Sequence, residues 1–134
     1  MIDLHAHVLP GIDDGARTLE ESLDVLRAME VDGVRAVAAT PHVREDWPTS
    51  VARMHAEVGA LRDAAAAAGL RIEVLQGGEI SLGRLGALTP EDRAGFSLGG
   101  NPQLLLLEFP YAGWPIGLCI RAAGSGGRAS TSST

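Results

Sequence analysis

The sequence predicts an α/β protein with a parallel sheet, and three observations carry that prediction. Two nearly unbroken apolar runs, Val34 to Thr40 and Leu104 to Phe109, have the composition of strands covered on both faces. Between them apolar residues recur at helical spacing, with capping residues in front and glycines behind. At 134 residues and 46% hydrophobic content, the chain is long enough for one domain with a buried core.

Ile2 to His7 alternates apolar and polar and reads as the first strand, followed by the turn-rich Leu9-Pro10-Gly11 and Asp13-Asp14-Gly15. Thr18 with Glu21 three residues on is a capping box; Leu19, Leu23, Leu26 and Met29 follow at helical spacing until Gly33, giving a first helix over Leu19 to Asp32. Val34 to Thr40 is the second strand, ended by Pro41 just before His42. Pro48 near a start, then Val51, Met54, Val58 and Leu61, the Ala64 to Ala68 run and Gly69, describe a longer second helix. Arg71 to Leu75 makes a third strand leading into Gln76-Gly77-Gly78-Glu79. Leu82 to Asn101, broken by glycines and Pro90, gives only loop and short helix. Leu104 to Phe109 is the fourth strand, with Glu108 the single charge inside it. From Ala122 the composition turns to Gly, Ser, Thr and Ala, which predicts disorder, so residues 1–114 are expected to fold and 115–134 are not.

Charge and cysteine content exclude several classes. A net charge of -6 with scattered arginines offers no basic stripe for nucleic acid and suits metal cations better than polyanions. No stretch is long enough to span a membrane, and a strand beginning at Ile2 leaves no room for a secretory signal. One cysteine, Cys119, permits no internal disulfide and fits a reducing cytoplasm.

The candidate chemistry is a metal site. In a strand, residues i and i+2 face the same way, so His5 and His7 present two imidazoles side by side. In a barrel of alternating strands and helices, functional groups collect at the C-terminal ends of the strands. His5 and His7 near the end of the first strand, Asp14 in the loop after it, His42 after the second, Glu79 after the third and Glu108 near the end of the fourth all meet that condition. Asp13 could equally be the ligand, with Asp14 a turn former. Asp3 is a candidate partner for a histidine N–H or for a turn. His55, inside the second helix, reads as a solvated surface residue. Imidazoles and carboxylates without thiolate favour Mn, Fe, Zn or Mg.

The segment from Met1 to Ala16, with His5-Ala6-His7 and Gly11-Ile12-Asp13-Asp14-Gly15-Ala16, then Thr18-Leu19-Glu20-Glu21-Ser22 and Ala39-Thr40-Pro41-His42, resembles the PHP (polymerase and histidinol phosphatase) superfamily. Within it the likeness is to the bacterial manganese-dependent protein-tyrosine phosphatases of capsular and exopolysaccharide biosynthesis. The resemblance implies the N-terminal part of a distorted, TIM-like (β/α)7 barrel and a cluster of two to three metal ions, manganese first. It also implies hydrolysis of phosphotyrosine on the tail of an autophosphorylated partner kinase in the cytoplasm, with no covalent enzyme intermediate. His5, His7, Asp14, His42, Glu79 and Glu108 fall where the family places metal ligands, and the alignment favours Asp14 over Asp13. The first four are expected to carry catalysis.

The likeness covers about Met1 to Pro110. The family's later His-Pro-Glu-Arg and Ser-Asp-Ala-His motifs do not occur, and after Trp114 the sequence reads as a frameshifted or prematurely ended product. Two alternatives follow: a PHP phosphatase of a small phosphoester such as histidinol phosphate, and a non-catalytic metal-binding remnant. An opened half-barrel of that kind should aggregate or pair with another chain, as in a homo-oligomer. Cys119 is no phosphatase nucleophile: Ser125 stands where a phosphate-binding arginine would be needed.

Overall fold

The structure, a computed structural model, describes residues 1–110 and the backbone of residues 128–131. In chain order the elements are β1 (Ile2–Ala6), α1 (Leu19–Val31), β2 (Ala36–Ala39), β3 (His42–Val43), α2 (Val51–Ala67), β4 (Glu73–Leu75), β5 (Glu79–Ser81), α3 (Leu82–Leu85), α4 (Pro90–Gly95), a 3-10 turn at Leu98–Gly100, β6 (Leu104–Glu108) and β7 (Arg128–Thr131). They build two parallel sheets, β1-β2-β4 and β3-β5-β6-β7.

The chain steps from the first sheet into the second twice, at Thr40-Pro41 and at Gln76-Gly77-Gly78. The predicted second strand is β2, ended at the proline as expected, and a further short strand that the sequence reading did not contain, β3, follows directly after it. Backbone bonds close both steps: Thr40 N–H donates to the Ala6 carbonyl and Glu79 N–H to the Pro41 carbonyl, each at 2.9 Å. The Thr40 hydroxyl adds a second tie, accepting from Ala6 N–H at 3.1 Å. Gly78 is required by packing, because a Cβ there would lie 2.7 Å from the Phe96 ring and 3.1 Å from Val43. In register, His42 pairs with Glu79 and Ser81 with Glu108.

Helix α1 starts as its capping residues predict, with the Thr18 side chain accepting from Glu21 N–H, and stops at Gly33, whose φ of +88° suits glycine. Leu26 is its fully buried anchor, while Leu19 is exposed. Helix α2 buries Met54, Val58, Leu61 and Ala65, one face at helical spacing. Burying each large side chain of this kind contributes about 1.5–3 kcal/mol. Pro48 does not open this helix as expected: it bridges to Val43, and Ser50 is the cap, accepting from Arg53 N–H. The segment from Leu82 holds two short capped helices, α3 and α4, the second with Thr89 accepting from Asp92 N–H.

The expectation that residues 115–134 lack structure lies outside the described residues except at Arg128–Thr131. Those four form β7, alongside a β6 edge whose N–H and C=O groups would otherwise go unpaired. Cys119 and Ser125 lie outside the described residues. No helix among the described residues is long and apolar enough to cross a membrane.

Candidate metal centre

Four strands, β1, β3, β5 and β6, and the loop after β1 deliver three imidazoles and four carboxylates to one place. The nitrogen and oxygen atoms fall into three overlapping groups, each within 4.8 Å: His7, Asp13, Asp14 and His42; His5, His7 and Glu79; and His42, Glu79 and Glu108. All six residues singled out in the sequence are in this cluster, together with Asp13.

Glu79 is the hub. Its side chain is 1% exposed, and its Oε2 lies 3.0 Å from His5 Nε2, 2.9 Å from His7 Nε2 and 3.5 Å from His42 Nδ1. His5 Nε2 and His7 Nε2 are themselves 3.2 Å apart, a contact that the shared face of i and i+2 permits. The His7 and His42 rings stack with centroids 4.4 Å apart. Glu79 reaches this position because β5 begins with it, directly after the second step between sheets.

Asp13 and Asp14 divide their tasks. Asp13 is buried: its Oδ2 lies 2.9 Å from His7 Nδ1 and accepts the backbone N–H of His42 at 2.9 Å, while Oδ1 accepts from Gly15 N–H. Asp14 is 62% exposed and sets Oδ1 3.1 Å from His42 Nε2. The loop turns this tightly only with glycine at 15, where a Cβ would run into the His7 carbonyl oxygen and Cβ.

Electrostatically, the cluster calls for positive charge. Burial pulls the His7 ring down, yet hydrogen bonds and charge from Asp13 and Glu79 outweigh it and hold the ring at about 10. Burial pushes Asp13 and Glu79 up; His7 and the backbone N–H groups of Gly15 and His42 bring Asp13 below the usual carboxylate range, and the histidines alone do so for Glu79. Two buried atoms of opposite kind, His42 Nδ1 and Glu108 Oε2, face each other at 3.6 Å with no hydrogen-bond partner. A buried pair of ligand-type atoms left unbonded, in a charge-hungry pocket of nitrogen and oxygen donors, fits a hard or borderline divalent cation.

Residues outside the cluster are equally clear. Asp3 accepts the backbone N–H of His5 at 3.0 Å, so it steadies the strand rather than an imidazole. His55 is exposed on α2. Sequence reasoning passed over Arg44, which donates Nη1 to Glu108 Oε1 at 3.0 Å. In sequence it follows His42 by two residues and is the first residue after β3, where the chain turns.

The sequence model of the CpsB/CapC family, described as capsular polysaccharide synthesis, matches residues 1–112. The chain belongs to the CpsB/CapC family. The tyrosine-protein phosphatase YwqE of Bacillus subtilis is 31% identical over 114 residues, which are 83% of this chain and 44% of that protein. The tyrosine-protein phosphatase CpsB of Streptococcus agalactiae is 44% identical over 45 residues, 34% of this chain and 18% of that one. A solved structure from work on YwqE of Bacillus subtilis and CpsB of Streptococcus pneumoniae, described as metal-dependent tyrosine phosphatases, superposes with a TM-score of 0.81 at 26% identity. It covers 98% of this chain and 54% of that one. The chain thus has the CpsB/CapC fold over the N-terminal part of its relatives and spans about half their length or less.

Proposed function

We propose that the cluster holds divalent metal cations, manganese before iron, zinc or magnesium, and that the chain serves the hydrolysis of phosphotyrosine in a protein. The observation that carries this is the pair His42 Nδ1 and Glu108 Oε2, two buried atoms 3.6 Å apart that no hydrogen bond satisfies. The names of the CpsB/CapC relatives, tyrosine-protein phosphatases, supply the substrate class.

His5, His7, Asp14, His42, Glu79 and Glu108 are the ligands in this reading, and Asp13 orients His7 and the His42 backbone. Divalent cations bound there supply Lewis acidity toward phosphoryl oxygens and toward water. His7 must give up its proton to coordinate, and Asp13 on the far nitrogen keeps the ring turned so that Nε2 faces the cluster. Glu79, buried under the three imidazoles, fixes their separation. The family's role in capsular polysaccharide synthesis supports a phosphotyrosine-bearing kinase tail as the substrate, and in this reading the reaction is cytoplasmic.

The test is Mn2+-dependent release of phosphate from a phosphotyrosine peptide by the 134-residue chain, beside His5→Ala and His7→Ala variants and beside histidinol phosphate as a competing substrate. Turnover of the peptide that both variants abolish supports the reading. Preference for the small ester overturns the substrate, and absence of any turnover in a chain that binds Mn2+ overturns catalysis by this chain while leaving the metal centre.

A further inference from the structure

We propose that Arg44 is a positioning residue for this centre: it holds the Glu108 carboxylate by one oxygen so that the other is turned toward His42 and Glu79. The inference rests on the metal reading above. Arg44 Nη1 donates to Glu108 Oε1 at 3.0 Å, and the other oxygen of that carboxylate, Oε2, is the buried atom without a hydrogen-bond partner. One oxygen of Glu108 is thus committed to a guanidinium and one is left for the cluster.

Arg44 is itself gripped from behind. Its Nε donates to Asp46 Oδ1 at 2.9 Å and its Nη2 to Asp46 Oδ2 at 2.8 Å, a fork-on-fork pair with defined direction. The turn that folds Asp46 back is closed by the backbones of Arg44 and Trp47, with N–H donated each way at 3.1 and 3.2 Å. Four residues directly after β3 therefore clamp a carboxylate at the end of β6, 64 positions further on. A lysine could not reproduce the arrangement, since a single ammonium lacks the planar fork that reaches two carboxylates in two fixed directions.

Two effects of Arg44 oppose each other. Its charge beside the centre repels a cation, and its hydrogen bond orients a ligand for one. The sign of the change in metal affinity on removing it tells which dominates, and orientation by such outer partners is typically worth roughly 10- to 100-fold in affinity.

The experiment is a titration of the full chain with Mn2+, following the free-ion paramagnetic resonance signal, with thermal midpoints by circular dichroism to verify folding. Arg44→Ala should weaken binding about tenfold or more, Arg44→Lys should recover part of the loss, and Asp46→Ala, at an exposed side chain, should weaken it less but in the same direction. Unchanged or tighter binding by Arg44→Ala overturns the positioning role. Should that variant fail to fold, Asp46→Ala decides, and unchanged affinity there overturns the clamp. Absence of saturable Mn2+ binding by the unsubstituted chain overturns the metal reading and this inference with it, whereas normal binding by every variant overturns Arg44 alone.

Discussion

Asp13 Oδ2 stands 2.9 Å from His7 Nδ1, and this contact fixes the ring so that Nε2, on its far side, meets Glu79. A carboxylate behind a histidine is the arrangement that orients imidazole ligands in metal sites. Asp13→Asn keeps the volume but removes the charge and leaves one amide to replace three accepted bonds. Mn2+ affinity should fall roughly 10- to 100-fold, with about 1–3 kcal/mol lost from the fold because buried donors lose a partner. Isothermal titration and urea unfolding measure the two separately; undiminished affinity would show that His7 needs no support.

Glu79→Gln tests the hub. The substitution conserves shape, so the metal-free chain should stay folded, but the oxygen shared by His5, His7 and His42 loses its charge. Binding of Mn2+ should weaken by more than about tenfold. A variant with the same metal content after gel filtration would remove Glu79 from the ligand set.

Two glycines give opposite expectations. Gly15→Ala drives a Cβ into the His7 backbone, and overpacking of this kind costs about 1–3 kcal/mol while displacing Asp14. Gly59→Ala, in the middle of α2 with nothing within 4 Å, should instead stabilise the fold by up to about 1 kcal/mol through helix propensity. Paired urea melts decide both. Equal effects of the two would mean that the Asp13-Asp14-Gly15 turn is looser than its contacts imply.

The metal-free chain should also have a characteristic pH profile. His7, held at about 10 against an ordinary 6.5, contributes stability that is full below about pH 6.5 and is lost as the pH rises through about 10. Asp13 and Glu79, held below ordinary values of 3.8 and 4.5, contribute above those values and lose the contribution as the pH falls further. In chelator, the thermal midpoint should be highest between about pH 5 and 6.5 and should decline toward alkaline pH. A midpoint that stays flat from pH 6 to 9.5 would contradict the charge balance described for the cluster.

Much of this centre was legible in the sequence because its signals are local. His5 and His7 share a face by strand periodicity, and Pro41 marks a strand end just before His42. Thr18 and Glu21 set the start of α1 as the capping box predicts. What escaped was tertiary. Nothing local tells that Thr40-Pro41 and Gln76-Gly77-Gly78 carry the chain from one sheet to another, because the strands that pair with β3 and β5 come from distant segments. Thr89-Pro90-Glu91-Asp92 carries a helix-start signature, but the surrounding glycines obscured α4. Asp13 and Asp14 stayed ambiguous since both suit a turn, and only burial separates them: Asp13 is 8% exposed and faces inward.

The hub bond between His5 and Glu79 joins positions 74 residues apart, and the cluster extends on to Glu108. An ion seated there would be a cross-link between the first strand and the sixth, closed only when everything between them has folded. Chain that opens anywhere in that span has to let the ion go, so occupancy stabilises the native state in proportion to the logarithm of ion concentration over the dissociation constant. The availability of a trace element would in this way set how long the folded chain survives, before any substrate is met.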